Sequence, residues 1–147
     1  MLPVFAWERA VQGWLSGRHV GALTVANVMF GGEGVVHLWA PVAVALTLGL
    51  LPAAAVLGAF AVAITVEAWL KPTFHRGRPR DMNEDGIPSG DCMAVAIWSP
   101  VLLGWWAAAP ILLVAWARMA RDAHYPLDVL LGAALGLLWG VGIAALR

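Results

Sequence analysis

Beyond residue 34 the chain is a succession of long apolar stretches, broken by one extended polar segment at 71–91. A helix needs ~20 mostly apolar residues to cross a bilayer, so four or five crossings would use nearly the whole length and leave no second domain. Apolar residues make up 61% of the 147 positions and charged ones 12%, against ~45–50% and ~25% in soluble domains. The expected architecture is therefore all-α, a single integral membrane helical bundle over 1–147. Formal charge is zero and the pI about 6.9, without the basic excess that nucleic-acid binding relies on. Nucleic acid is not an expected partner. Cys92 is the only cysteine, which allows no internal disulfide and no metal knuckle.

Apolar runs place membrane helices at about 35–51, 52–70, 92–108, 109–122 and 126–146, five in all. The fourth is the shortest and ends in Arg118, Arg121 and Asp122. Trp69, Trp105, Trp106 and Trp139 fall near these ends, where indole rings favour the headgroup layer. Segment 1–33 precedes the bundle at 34–147. Within it Val4, Trp7, Val11, Trp14 and Leu15 recur at helical spacing, with Glu8, Arg9 and Gln12 on the other face. That pattern predicts an amphipathic N-terminal helix, lying in the interface or packing its apolar stripe on the bundle. The charges at Glu8, Arg9 and Arg18 speak against a cleaved signal peptide.

Eight of the eighteen charged residues lie between Lys71 and Asp91, so this loop must meet water. The chain leaves it through 92–108 and returns through 109–122, ending beside Arg118, Asp122 and His124. Both polar clusters are therefore expected on one membrane face.

Three pieces share that face: KPTFHRGRP at 71–79, PSGD at 88–91 and RMARDAHYPLD at 118–128. Together they have the makings of a phosphate site. Lys71, Arg78 and Arg118 supply cations, and a guanidinium can hold two oxygens of one phosphate. Ser89 and Gly90 precede a helix start, where free backbone N–H groups suit an anion and glycine permits close approach. His124 is the nucleophile candidate, because imidazole can take a phosphoryl group and release it to water. Asp128 is the candidate partner that fixes its tautomer. Pro126 suits the first turn of the last helix, which sets His124 just before it. Asp91 is the candidate acid for the leaving group.

These three pieces resemble, in order and internal spacing, the signature motifs of the type 2 phosphatidic acid phosphatase superfamily: K, six residues, RP; then PSGH; then SR, five residues, H, three residues, D. The resemblance implies a helical bundle, no metal or other cofactor, and a phosphohistidine intermediate. It assigns Lys71, Arg78, Ser89, Gly90 and Arg118 to phosphate, His124 to attack and Asp128 to orienting it. The implied substrates are lipid-linked phosphates or diphosphates, such as polyprenyl diphosphate or phosphatidic acid-like lipids, with membrane lipids as the surroundings. It also implies a site facing outward from the cell membrane. A positive-inside count points the other way, because Arg147 is the only basic residue expected on the far face.

Two positions depart from the pattern. Ala117 replaces a serine and loses one hydroxyl. Asp91 replaces the histidine held to protonate the leaving group. A diphosphate leaving group depends less on an acid, so diphosphate substrates are favoured. A catalytically weak lipid-phosphate binding or scaffold protein is the alternative that Asp91 motivates. Vanadate-binding haloperoxidases share the motifs but resemble large soluble proteins, unlike this apolar chain. Each cation alone is explained by interfacial anchoring; the joint pattern is not. Glu67, one turn before Lys71, reads as an ordinary pairing neighbour. Asp81, Asn83, Asp85 and Gly86 read D-x-N-x-D-G, the opening of a calcium loop whose closing glutamate is missing. A solvated acidic turn is the expected reading there.

Overall fold

The computed structural model describes residues 3–30 and 35–146. Among the described residues seven α-helices follow in order: α1 (Ala6–Leu15), α2 (Val20–Phe30), α3 (Val35–Leu48), α4 (Leu50–Phe74), α5 (Gly90–Leu103), α6 (Ala108–Ala120) and α7 (Pro126–Ala144), with a 3-10 turn at Gly104–Ala107 between α5 and α6. Among the described residues the β-structure is limited to an isolated bridge between Gly77 and Asp85. The division expected at 33/34 and the far-face Arg147 lie outside the described residues.

α5 is the axis of the bundle. Every residue from Cys92 to Val101 is buried, because α7, α4, α3 and α6 all pack around it. The α5–α7 contact is the most extensive. α7 turns Gly132, Gly136 and Gly140 toward the α5 backbone, and a Cβ at any of them would come closer than 3.0 Å to a backbone carbonyl. Small residues at this spacing let two helices approach closely in lipid, where hydrophobic exclusion does not press helices together. The α7 start is set locally. Pro126 occupies the first turn and the third-position Asp128 accepts the Tyr125 N–H at 2.9 Å, closing a capping box.

Helices stand at all five predicted spans, with shifted ends, but length and composition do not confirm five crossings. Three runs qualify, Leu50–Phe74, Gly90–Ala120 and Pro126–Ala144, or four if Leu23–Phe30 and Val35–Leu48 form one bent span. Gly90–Ala120 folds back on itself at Gly104, whose φ of 59° lies in the left-handed region that glycine tolerates. The reversal follows from Arg118 Nη1 reaching Asp91 Oδ2 at 2.5 Å; a straight helix would hold their backbones ~40 Å apart at ~1.5 Å per residue. Its two arms of 14 and 13 residues span only about 20 Å each, short of the ~30 Å hydrocarbon layer. The reversal keeps the two polar clusters on one end of the bundle.

The N-terminal helix holds a surprise in its orientation. Trp7, Val11 and Trp14 are exposed, while Glu8, Gln12 and Leu15 are buried. The apolar stripe faces away from the protein and the polar face packs inward, so the expected option of the stripe packing on the bundle is overturned. Leu15 leaves the stripe and joins the buried side. α2 is an additional helix inside the segment read as interfacial, and its fully buried Asn27 points to the site below.

Candidate active site

The C-terminal ends of α4 and α6, the N-terminal ends of α5 and α7 and the loop at 75–89 surround a cavity of about 310 Å³. Six of the eight residues singled out from sequence line it: Lys71, Arg78, Gly90, Asp91, Arg118 and His124. Its inner wall is apolar, made by Phe60, Ala63 and Ile64 of α4 and Met93 and Ala94 of α5, with His37 of α3 beside them. A lining of both charged and apolar side chains suits an amphiphile. Ser89 and Asp128 stand one layer behind, both fully buried, joined by the Ser89 N–H donating to the Asp128 carbonyl at 2.9 Å. This bond ties the α5 start to the α7 start.

His124 is almost wholly buried at 2% exposure. Its Nε2 lies 3.4 Å from Arg118 Nη2 and its Nδ1 lies 3.8 Å from Asp128 Oδ2. An arginine nitrogen can only donate, so contact with Arg118 leaves Nε2 as the lone-pair atom and places the ring proton on Nδ1, facing the carboxylate. Burial pushes the imidazole below its ordinary value, Asp128 pulls it back, and Arg118 and Arg78 push it down further. The balance favours the neutral ring, with the Nε2 lone pair on the Arg118 side. The 3.8 Å gap is longer than a hydrogen bond, as contacts of this kind often are before substrate binds.

Each cation already has an acidic partner within the chain. Lys71 Nζ pairs with Glu67 Oε1. Arg78 Nη1 meets Glu84 Oε2 at 3.0 Å, and its Nε donates to the Asp85 carbonyl at 3.2 Å. Arg118 holds Asp91, which also accepts a bond from Asn27 Nδ2 at 3.3 Å. Asp91 thus occupies the guanidinium that would clasp a phosphate. A Cβ at Gly90 would meet the Glu67 carboxylate, so the end of that side chain lies directly against the α5 start.

Sequence reasoning missed four residues. Glu67 lines the cavity rather than merely neighbouring Lys71. Asn27 was legible as a lone amide in an apolar stretch, a pattern that marks a polar partner in the membrane. Arg76 and Glu8 are both fully buried and paired with each other, and Arg76 Nη1 bonds Asp128 Oδ1 at 2.7 Å. The calcium-like stretch resolves into local pairing: Asp81 Oδ1 accepts the Asn83 N–H at 2.9 Å, and Asp85 lies 3.6 Å from His75 Nδ1. Among the described residues no three metal-ligating side chains gather.

Comparison with known proteins gives two results. Residues 92–147 match the family model of the PAP2 superfamily. The fold superposes with a TM-score of 0.80 on the crystal structure of the first transmembrane PAP2 type phosphatidylglycerolphosphate phosphatase from Bacillus subtilis, at 17% identity, covering 96% of this chain and 84% of that one. No curated protein matches the sequence. At this identity the structural likeness speaks for the fold, and the matched family segment holds Arg118, His124 and Asp128.

Proposed function

We propose that this chain, whose residues 92–147 match the family model of the PAP2 superfamily, is a membrane phosphatase of that superfamily that hydrolyses lipid-linked phosphates through a phosphohistidine on His124. The observation that carries this reading is the setting of the imidazole, with Nε2 toward the Arg118 side of the cavity and Nδ1 toward Asp128. The Nε2 lone pair forms a bond to phosphorus as the bond from phosphorus to the leaving oxygen breaks, and the leaving group departs with that electron pair. The Nδ1 proton stays in place, facing the Asp128 carboxylate, whose negative charge offsets the positive charge on the phosphorylated ring. Water then attacks phosphorus, its oxygen remains with the released phosphate, and Nε2 recovers its lone pair. Lys71, Arg78, Arg118 and the first-turn amides at Gly90 hold the equatorial oxygens, where charge builds up in the transition state.

Lipid diphosphates are the favoured substrates. Their leaving group is itself a phosphate, which departs without an acid, and Asp91 is engaged with Arg118 rather than poised over a leaving oxygen. A second cavity of about 520 Å³ shares Arg78 and Arg118 with the first and adds Arg80 and Arg121, alongside Asp81 and Glu84. It offers basic groups for a second phosphate. We place the site on the extracytoplasmic face of the cell membrane, the side that the motif resemblance implies.

The test is phosphate release from dodecyl-maltoside-solubilised protein given a polyprenyl diphosphate or phosphatidic acid, with acid-labile, base-stable label on the protein after rapid quenching. Absence of both phosphate release and label would favour a lipid-phosphate binding protein, the reading suggested by Asp91 closing on Arg118.

Asp91 gives a separate prediction. Asp91→Asn releases Arg118 to substrate, so KM should fall for both a monophosphate and a diphosphate while the ratio of their kcat values stays put. Asp91→His installs an acid and should raise monophosphate turnover by ~10-fold or more, since a positioned acid contributes ~10²–10⁴-fold. A selective loss on the monophosphate in Asp91→Asn would instead make Asp91 the proton donor.

A further inference from the structure

We propose that Glu8 of α1, acting through Arg76, is a positioning residue for the Asp128–His124 pair, so that the N-terminal helix sets the reactivity of the nucleophile. This rests on His124 being the nucleophile.

The three charged side chains form a continuous buried chain with no exposure at any member. Arg76 Nη2 bonds Glu8 Oε2, and Nη1 bonds Asp128 Oδ1 at 2.7 Å. The remaining carboxylate capacity is used with equal care. Glu8 Oε2 accepts the Phe5 N–H at 3.0 Å and Oε1 accepts the Leu127 N–H of α7 at 3.1 Å. Asp128 Oδ2 accepts the Tyr125 N–H at 2.9 Å and is the oxygen that faces His124 Nδ1. The Arg76 guanidinium lies 5.7 Å from the centre of the Tyr125 ring.

Burying three ions is expensive, and a buried pair can often be exchanged for apolar residues without loss of stability. Stability alone is thus a weak reason for this chain of charges, and its geometry supplies a stronger one. With Oδ1 clamped by a rigid guanidinium fork, the Asp128 carboxylate cannot rotate, and Oδ2 stays directed at the imidazole. Arg76 also draws charge away from Asp128, and Glu8 returns it. The chain carries one net negative charge, which the histidine sees through Asp128.

α1 is fixed firmly enough for this role. Gln12 Nε2 donates to the Met119 carbonyl and to Asp122 Oδ1 at 2.8 Å, Ser16 Oγ donates to Asp122 Oδ2 at 2.8 Å, and the Gly17 N–H bonds the Ala120 carbonyl at 3.0 Å. One short helix therefore grips the end of α6 and the start of α7, the two termini that flank His124. The charged groups nearest the ring are Asp128 of α7, Arg118 of α6 and Arg78 of the loop after α4. Asp91 of α5, the Glu67–Lys71 pair of α4 and His37 of α3 share its cavity. None of these belongs to α1, so the Glu8 charge acts on the ring through Arg76 and Asp128, while its bond to the Leu127 N–H fixes the start of α7.

Glu8→Gln tests this by removing the charge at nearly constant shape. The chain loses its net negative charge, the imidazolium is less favoured, and the acidic limb of the kcat/KM profile should move to lower pH. kcat should fall by about tenfold, the lower end of what supporting partners contribute, with KM unchanged. Gln12→Ala loosens α1 without touching the charges and should leave the limb in place. A native limb and native kcat in Glu8→Gln, or an equal limb shift in Gln12→Ala, would overturn the inference. If Glu8→Gln yields no folded protein, Arg76→Lys carries the test: it keeps the charge and loses the fork, so kcat should fall, and a native kcat would overturn the proposal. Loss of turnover in His124→Ala together with a native Glu8→Gln would remove only this inference; full turnover in His124→Ala would remove the nucleophile itself.

Discussion

In His124→Ala, release of phosphate from a lipid diphosphate should drop by about 10⁴-fold or more, the scale on which loss of a nucleophile acts, while the protein stays folded in detergent. The other imidazole at the cavity, His37 of α3, packs edge-on against the Phe60 ring at 4.7 Å. Ser89 is buried behind the wall, Lys71 is held by Glu67, and Cys92 is packed inside α5. What remains in the variant is the binding set of Lys71, Arg78 and Arg118, so substrate affinity should survive when turnover does not. The native enzyme should also show a characteristic pH dependence. His124 sits below the ordinary histidine value of 6.5, first because it is buried, with Asp128 opposing and Arg118 and Arg78 reinforcing the shift. Nucleophilic attack needs the neutral ring, so the rate holds above this lowered value and falls as pH drops through it. The folded state resists the proton that the unfolded chain takes up near pH 6.5, so this group's contribution to stability is present above that pH and is lost as pH falls toward the folded value. An acidic limb at or above 6.5, or a phosphate-release rate in His124→Ala close to native, would sink the assignment.

The parts of this site that the sequence disclosed are those encoded by local spacing. Lys71 and Arg78 lie in one short segment, His124 and Asp128 bracket a helix start announced by Pro126, and a charge count with helix parity placed both groups on one face. The Gly104 reversal preserves that parity, although its arms are shorter than expected spans. Pairings across long separations were invisible. Asp91 reads as a candidate leaving-group acid because nothing near it in sequence shows that Arg118 folds back onto it. Glu8 falls on the polar face of an amphipathic pattern, and such a pattern says that two faces differ, not which one meets protein. In lipid the usual inference reverses, since apolar residues can be left outside and the polar face seeks whatever polar interior exists. Here that interior is the site, and Arg76 is the buried charge that meets Glu8.

Gly136→Leu should be the most damaging single substitution in the membrane core. Gly132, Gly136 and Gly140 fall one helical turn apart on α7, facing the carbonyls of Ser89, Met93 and the Ala96–Ile97 pair. A Cβ at Gly136 would overlap the Met93 carbonyl and crowd Ala96 Cβ. These are backbone and short side-chain atoms on a buried helix, so neither side can swing away and the helices must separate. Overpacking of this kind costs ~1–3 kcal/mol and sometimes more; a leucine on the closest helix contact belongs at the upper end. The damage extends to the chemistry, because the Ser89 N–H to Asp128 carbonyl bond holds the α5 start against the α7 start. A shift of ~1 Å there displaces Gly90 relative to His124, and misplacement on that scale can cost ~10²-fold in rate. Gly136→Ala should therefore lower both the thermal midpoint and turnover in dodecyl maltoside, and Gly136→Leu should leave little monodisperse protein. Gly142 lies on the same helix with open space around it, so Gly142→Leu should match the native midpoint. Equal midpoints for the Gly136 and Gly142 leucine variants would show that the α5–α7 backbone contact is not what holds the site together.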